Sequence, residues 1–171
     1  MHSRLIFVPI AVVASAPALS TTYLSVEQAQ ALMFPGASFE SRFIKLDQQQ
    51  YNAVIKVSNV VPYSRDVKAW RASTGGWFIL DQVRGKDDWI SYALALDEAG
   101  KVRQIEILEC LENYDGITNK AWLAQFYGRR QGAKFDDIHM ISGATLSSQQ
   151  MTAGVARLLA TYVVVLRDSA T

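Results

Sequence analysis

WFILDQVRGKDDWISYALALDEAGKVRQIEIL, residues 77–108, holds three apolar, β-branched and aromatic runs with two compact polar separators between them. Trp77 to Val83, Trp89 to Leu96 and Val102 to Leu108 read as strands. The separators Gly85-Lys86-Asp87-Asp88 and Asp97-Glu98-Ala99-Gly100-Lys101 carry good turn chemistry. Connections this short favour an antiparallel meander, because parallel neighbours need long crossovers. Upstream, Lys68 to Ser73 adds a strand before the Gly75-Gly76 turn, and Phe39 to Leu46 adds another with alternating apolar side chains. Ser25 with Gln28, and Asp47 with Gln50, have capping-box spacing. They open helices expected to run to about Phe34 and about Val57. Downstream come a loop from Glu109 to Gly116 and a short helix near Asn119 to Phe126. A final amphipathic helix is expected to start near Ser147, with Met151, Val155, Leu158, Leu159 and Tyr162 on one face. The class is α+β: a twisted antiparallel sheet with packed helices, a single domain after a signal peptide.

Composition narrows the chemistry. Half of the 171 residues are hydrophobic, enough for one sizeable core, and 17 Lys and Arg against 16 Asp and Glu give a net charge of +1. That near-neutrality implies no pull toward nucleic acid, and none is expected as a partner. A single cysteine, Cys110, excludes an internal disulfide and a CxxC redox pair. Two histidines, His2 and His139, leave little for a metal site or a Ser-His-Asp triad, so no catalytic or metal-binding residue is assigned.

Residues 1–18 have the three-part layout of a secretory signal: Arg4, an apolar run from Leu5 to Val13, and the A-x-A patterns ending at Ala16 and Ala18. Cleavage after Ala18 is preferred, since the earlier site would leave Pro17 at the first mature position. The run is shorter than the ~20 residues of a spanning helix. A buried strand or helix is the other reading. Export makes the protein periplasmic or otherwise extracytoplasmic, with any membrane association coming through a partner.

Ile141-Ser142-Gly143-Ala144-Thr145-Leu146-Ser147-Ser148 is a small-residue loop that feeds into the last helix. Gly143 permits a positive φ, and Gly143 with Ala144 lets another molecule approach the backbone. Thr145, Ser147 and Ser148 place hydroxyls at a helix start, where the dipole favours a phosphate. A plain helix cap after a tight turn remains the alternative. Other candidates also have ordinary readings. The basic stretch Gly128 to Lys134 is a solvated loop or a steering patch for an anion. Cys110 is a core thiol or a nucleophile. Trp70, Trp77, Trp89 and Trp122 belong to the core and sheet, or one of them stacks on a ring.

The string Ser142-Gly143-Ala144-Thr145-Leu146-Ser147-Ser148 resembles the flavinylation motif of the FMN-binding domain family. That family includes the FMN-carrying subunits of sodium-pumping NADH:quinone reductases and of Rnf-type complexes. The runs Val102 to Glu112 and Trp122 to Gly128 are similar to the family's strand, its glutamate-bearing loop and its W-x-x-Q-F-x-G helix. The likeness covers residues 75–166, which makes residues 19–74 an N-terminal extension of the domain. It implies FMN held covalently on Thr145 through a phosphoester and installed from FAD by a flavin transferase. Ser142, Gly143, Ala144, Ser147 and Ser148 would surround the phosphate, and Glu112, Tyr114 and Gly116 would contact the flavin. Two departures stand out. Three positions before the motif serine the family usually carries Asp, where this chain has His139, with Asp136 and Asp137 just upstream. The family loop that often reads Glu-Thr-Pro-Gly is Glu112-Asn113-Tyr114-Asp115-Gly116 here. The implied role is an electron carrier between membrane or periplasmic redox proteins. A scaffold of the same fold without flavin and a small flavin-dependent reductase are the alternatives.

Export is directly testable. N-terminal sequencing of the protein recovered outside the cytoplasm is expected to begin at or near Leu19, and a chain retained inside with Met1 intact would contradict the signal reading.

Overall fold

The computed structural model describes residues 21–110 and 116–167. The expected signal, residues 1–18, lies outside them, as do Glu112 and Tyr114. The chain runs β1 (Thr21–Thr22), α1 (Val26–Met33), β2 (Phe39–Lys45), α2 (Gln48–Ser58), β3 (Asp66–Ala72), β4 (Trp77–Arg84), β5 (Trp89–Leu96) and β6 (Val102–Cys110). After a 3-10 turn at Gly116–Thr118 come α3 (Lys120–Leu123), a second 3-10 turn at Ala124–Phe126 and α4 (Thr145–Thr161). Five long strands and the two-residue β1 make one antiparallel sheet in the order β1-β6-β5-β4-β3-β2. It is an α+β domain, and β2 and β3 complete the same sheet as the later strands.

Both predicted capping boxes form. Ser25 Oγ accepts from the Gln28 amide at 3.2 Å, and Asp47 Oδ1 accepts from the Gln50 amide at 2.8 Å, each with the reciprocal side-chain bond. Strand β6 runs two residues past the expected Leu108. Its last residues gain a partner, Thr22 opposite Glu109 and Thr21 opposite Cys110. Cys110 is buried, which fits its reading as a core thiol.

The strands bury side chains on both faces. On one face Ile79, Val83, Ile90, Tyr92, Leu94 and Ile105 pack against Met151, Val155, Leu158 and Leu159 of α4 and Val54 of α2. On the other, Phe78, Ala93, Ala95 and Leu108 pack against Ala29 and Met33 of α1, with Phe34 just beyond its end. This two-sided burial explains why β5 reads as a nearly continuous apolar run.

An ion pair ties α4 to the sheet. Arg157, only 4% exposed, pairs with Asp81 Oδ2 of β4, and its Nη2 also donates to the Gln82 carbonyl at 3.3 Å. Tyr92 of β5 donates its hydroxyl to the same Asp81 oxygen at 2.8 Å. Burial first, and the Asp81 charge second, push the Tyr92 phenol well above its ordinary pKa, so it stays protonated as a donor. Gly154 lets the helix come this close. A Cβ there would sit 2.7 Å from the Tyr92 hydroxyl and 2.7 Å from Val83 Cγ1.

Removing one member leaves the other charge half-buried without its counter-ion, which is more damaging than losing both. Arg157→Ala is expected to lower the unfolding free energy by about 3 kcal/mol in urea titrations. A loss below about 0.5 kcal/mol, typical of a surface change, would show that Asp81 does not depend on this partner.

Candidate functional site

The site begins with α3. Asn119 caps it, its Oδ1 accepting from the Trp122 amide at 3.1 Å. One turn places Trp122 and Gln125 three residues apart on one side. Trp122 Nε1 donates to the His139 carbonyl at 2.6 Å, and Gln125 Oε1 accepts from the His139 amide at 2.9 Å. The backbone of residue 139 is therefore held on both its N–H and its C=O. Sequence reading named neither residue as a positioning group, though the W-x-x-Q spacing carried the signal.

Upstream of the clamp, Arg129 organises the basic stretch. It makes a two-pronged ion pair with Asp137 at 2.9 Å on each arm, and donates to the carbonyls of Gln125 at 2.9 Å and Lys134 at 2.5 Å. These hydrogen bonds from Arg129 hold the Asp137 carboxyl below its ordinary pKa. Asp137 is thus committed to the loop. Arg129 belongs to the fold and not to a free cationic patch.

The motif itself forms a tight turn. The Ala144 amide donates to the Ile141 carbonyl at 3.0 Å, and Gly143 takes φ +84° with open space where a Cβ would stand. Glycine is needed here for its backbone angle, and that side of the turn is open to an incoming molecule. Helix α4 starts at Thr145, two residues before the expected position, with Ala144 at the N-cap and no capping side chain. Alanine has no oxygen to offer the first-turn amides, so the cap that Ser or Asp ordinarily supplies is missing.

The helix opens on the backbone bond from the Ser148 amide to the Ala144 carbonyl at 2.9 Å, and the two serine hydroxyls are engaged beside it. Ser148 is fully buried, and its Oγ donates to the Ala144 carbonyl at 2.8 Å while accepting from the Ile141 amide at 3.2 Å. Ser147 is also fully buried, and its Oγ accepts from the Lys86 amide in the β4–β5 turn at 3.2 Å. Both hydroxyls fasten the helix start to the protein. Thr145 differs: it is exposed, and its Oγ1 makes only a long 3.5 Å contact to the Ile141 carbonyl. Ser142 and Gly143 are exposed beside it, whereas Ala144 is buried.

Next to this turn lies an open groove of about 560 Å³ lined by Gly116, Asn119, Ala121, Trp122, Gln125, His139 and Ile141. Of the expected contact residues, the groove brings Gly116 to the site. Among the tryptophans it brings only Trp122. Trp77 is buried in the sheet core, Trp70 packs edge-on against Phe43 and Phe78 on the α1 face, and Trp89 packs edge-on against Tyr63. Among the described residues no group of three or more His, Cys, Asp or Glu is placed to hold a metal ion.

An exposed hydroxyl at the uncapped start of a 17-residue helix, beside a mixed polar and aromatic groove, fits an aromatic cofactor that carries a phosphate. The oxygen is accessible, the helix end favours negative charge, and Trp122, Asn119, Gln125 and His139 offer an apolar edge and polar groups. No curated protein matches the chain, but residues 85–160 match the family model described as FMN-binding domain. That stretch spans the β4–β5 turn that holds Ser147, the whole groove and nearly all of α4. Residues 85–160 thus form a domain of the FMN-binding family, which supports a flavin-binding protein.

Proposed function

We propose that Thr145 carries FMN through a phosphoester bond and that the protein relays electrons between redox partners outside the cytoplasm. The supporting observation is the division of labour at the start of α4. The Ser147 and Ser148 hydroxyls are buried and engaged, while the Thr145 hydroxyl is exposed at an uncapped helix end. Attachment joins Thr145 Oγ1 to the FMN phosphorus of FAD as the pyrophosphate bond breaks and AMP departs, with the threonine proton passing to solvent or the transferase. The resulting diester keeps one negative charge, which the helix end favours by roughly 0.3–1 kcal/mol.

The chain's own contribution is to hold and orient. Trp122 and Gln125 fix the backbone of residue 139, so the groove wall is rigid where an aromatic ring system would rest. Asn119 and His139 supply polar groups at its edge. Flavin provides reversible electron transfer, and the protein positions it and sets its surroundings. A covalent bond suits an exported protein, because noncovalent FMN would be lost by dilution where little free flavin replaces it. The flavin transferase and the redox partners follow from the same reading.

Co-expression with a flavin transferase, followed by fluorescence of the denatured protein band, tests the attachment. Wild type is expected to fluoresce. Thr145→Ala is expected to lose the signal with unfolding free energy within about 0.5 kcal/mol of wild type, since the residue is exposed and weakly bonded. Thr145→Ser keeps the hydroxyl but loses the methyl that restricts its rotamer, so partial or slow labelling is expected. A folded wild type that stays dark with the transferase supplied would favour a scaffold of the same fold.

A further inference from the structure

Strand β2 is the outer strand of the sheet, and among the described residues no strand lies beyond it. Its pairing with β3 matches residues whose numbers sum to 111, from Phe39 opposite Ala72 to Lys45 opposite Asp66, without a bulge. Two bonds just outside the ladder fix its phase. The Leu46 amide donates to the Arg65 carbonyl and the Ser73 amide donates to the Ser38 carbonyl, each at 2.9 Å. Even-numbered residues therefore turn their backbone N–H and C=O toward β3. Phe39, Ser41, Phe43 and Lys45 turn theirs outward.

We propose that this edge is a self-association surface, on which a second copy of the chain adds its own β2 antiparallel about a two-fold axis at Ser41. Backbone phase requires odd residues to face odd residues, so the axis falls at an odd residue or midway through an even pair. Charge selects among these registers. An axis at Ser41 sets Glu40 against Arg42 of the other copy twice, in the close non-hydrogen-bonded pairs where side chains approach best. An axis at Arg42 or at Glu40 would instead place two like charges face to face.

Side chains support the same register. Phe39 and Phe43 lie on the α1 face, in a row of edge-on rings: Phe34 with Phe39 at 5.9 Å, Phe39 with Phe78 at 6.2 Å, Phe78 with Trp70 at 5.6 Å and Trp70 with Phe43 at 5.0 Å. Phe43 ends the row 64% exposed. In the Ser41 register each Phe43 stands opposite Phe39 of the other copy, so the row continues across the joint and covers that exposed ring. Within one chain Glu40 and Arg42 already pair at 2.6 Å, and pairing exchanges this exposed contact for two between chains. Charges on an edge strand ordinarily block indiscriminate pairing. Here they admit one register. The groove residues between Gly116 and Ile141 are not part of this edge, so association leaves them uncovered.

Sedimentation equilibrium on the full chain tests the surface. Wild type is expected to form a concentration-dependent dimer. Arg42→Glu alone and Glu40→Arg alone are each expected to weaken it about tenfold, because both cross-strand pairs become like-charged. Mixing these two variants is expected to restore association, since each then meets its complement. Ser41→Pro removes only an outward N–H, leaves the β2–β3 bonds in place and is expected to give a folded monomer, with circular dichroism confirming the fold. Ser41→Cys is expected to cross-link on oxidation, because a directly opposed pair has Cα atoms about 5.5 Å apart, within disulfide range. A chain that stays monomeric at millimolar concentration would overturn the proposal. So would a dimer indifferent to the charge exchanges and to Ser41→Pro.

Discussion

An ionised arginine on the buried face of α4 is tolerable only because Asp81 meets it on the sheet, with the Tyr92 hydroxyl on the same carboxylate oxygen. That contact sets how far along the sheet the helix can slide. Gly154, one turn earlier, sets how near it can come, since nothing larger fits against Tyr92 and Val83. With rotation, depth and register of α4 fixed from its middle, the position of its first turn follows. Whatever Thr145 does chemically therefore depends on a contact twelve residues away, on the far side of the helix body.

The helix start is fastened a second time from its own end. Ser148 closes the turn onto Ile141 and Ala144, and Ser147 takes an amide from the β4–β5 turn. These contacts hold the turn without placing a capping side chain on the first-turn amides. The opposite wall is held in the same manner, by side chains gripping backbone: Trp122 and Gln125 on residue 139, and Arg129 on the carbonyls of Gln125 and Lys134. A binding region made of loops gains the rigidity of the sheet and helices through these bonds. What remains accessible is a hydroxyl, an uncapped helix end and a groove.

Much of this was legible in the chain. Alternation and turn residues placed the meander, and both capping boxes announced α1 and α2, because those signals are local and the structure satisfies them locally. The motif around Thr145 pointed to a flavin-binding family, and the family match covers it. Three features were not legible, and each is non-local. Helix α4 starts two residues early, with the Ser148 amide on the Ala144 carbonyl and the hydroxyls of Ser147 and Ser148 drawn into contacts with Lys86, Ile141 and Ala144. Strand β6 reaches Cys110 because its last two residues are paired on both sides, with Ser91 and Ile90 of β5 past a bulge and with Thr22 and Thr21, nearly ninety residues before. Arg157 reads as a polar interruption of an apolar face until Asp81, 76 positions away, is seen opposite it.

The central claim is that Thr145, and not a neighbouring hydroxyl, is the attachment point. The most direct measurement is the fragment mass spectrum of the peptide spanning Ser142 to Ser148, from protein matured with a flavin transferase. The expected peptide carries FMN less one water, with the added mass localised to Thr145. The same mass on Ser142, Ser147 or Ser148, or an unmodified peptide from folded protein, would contradict it.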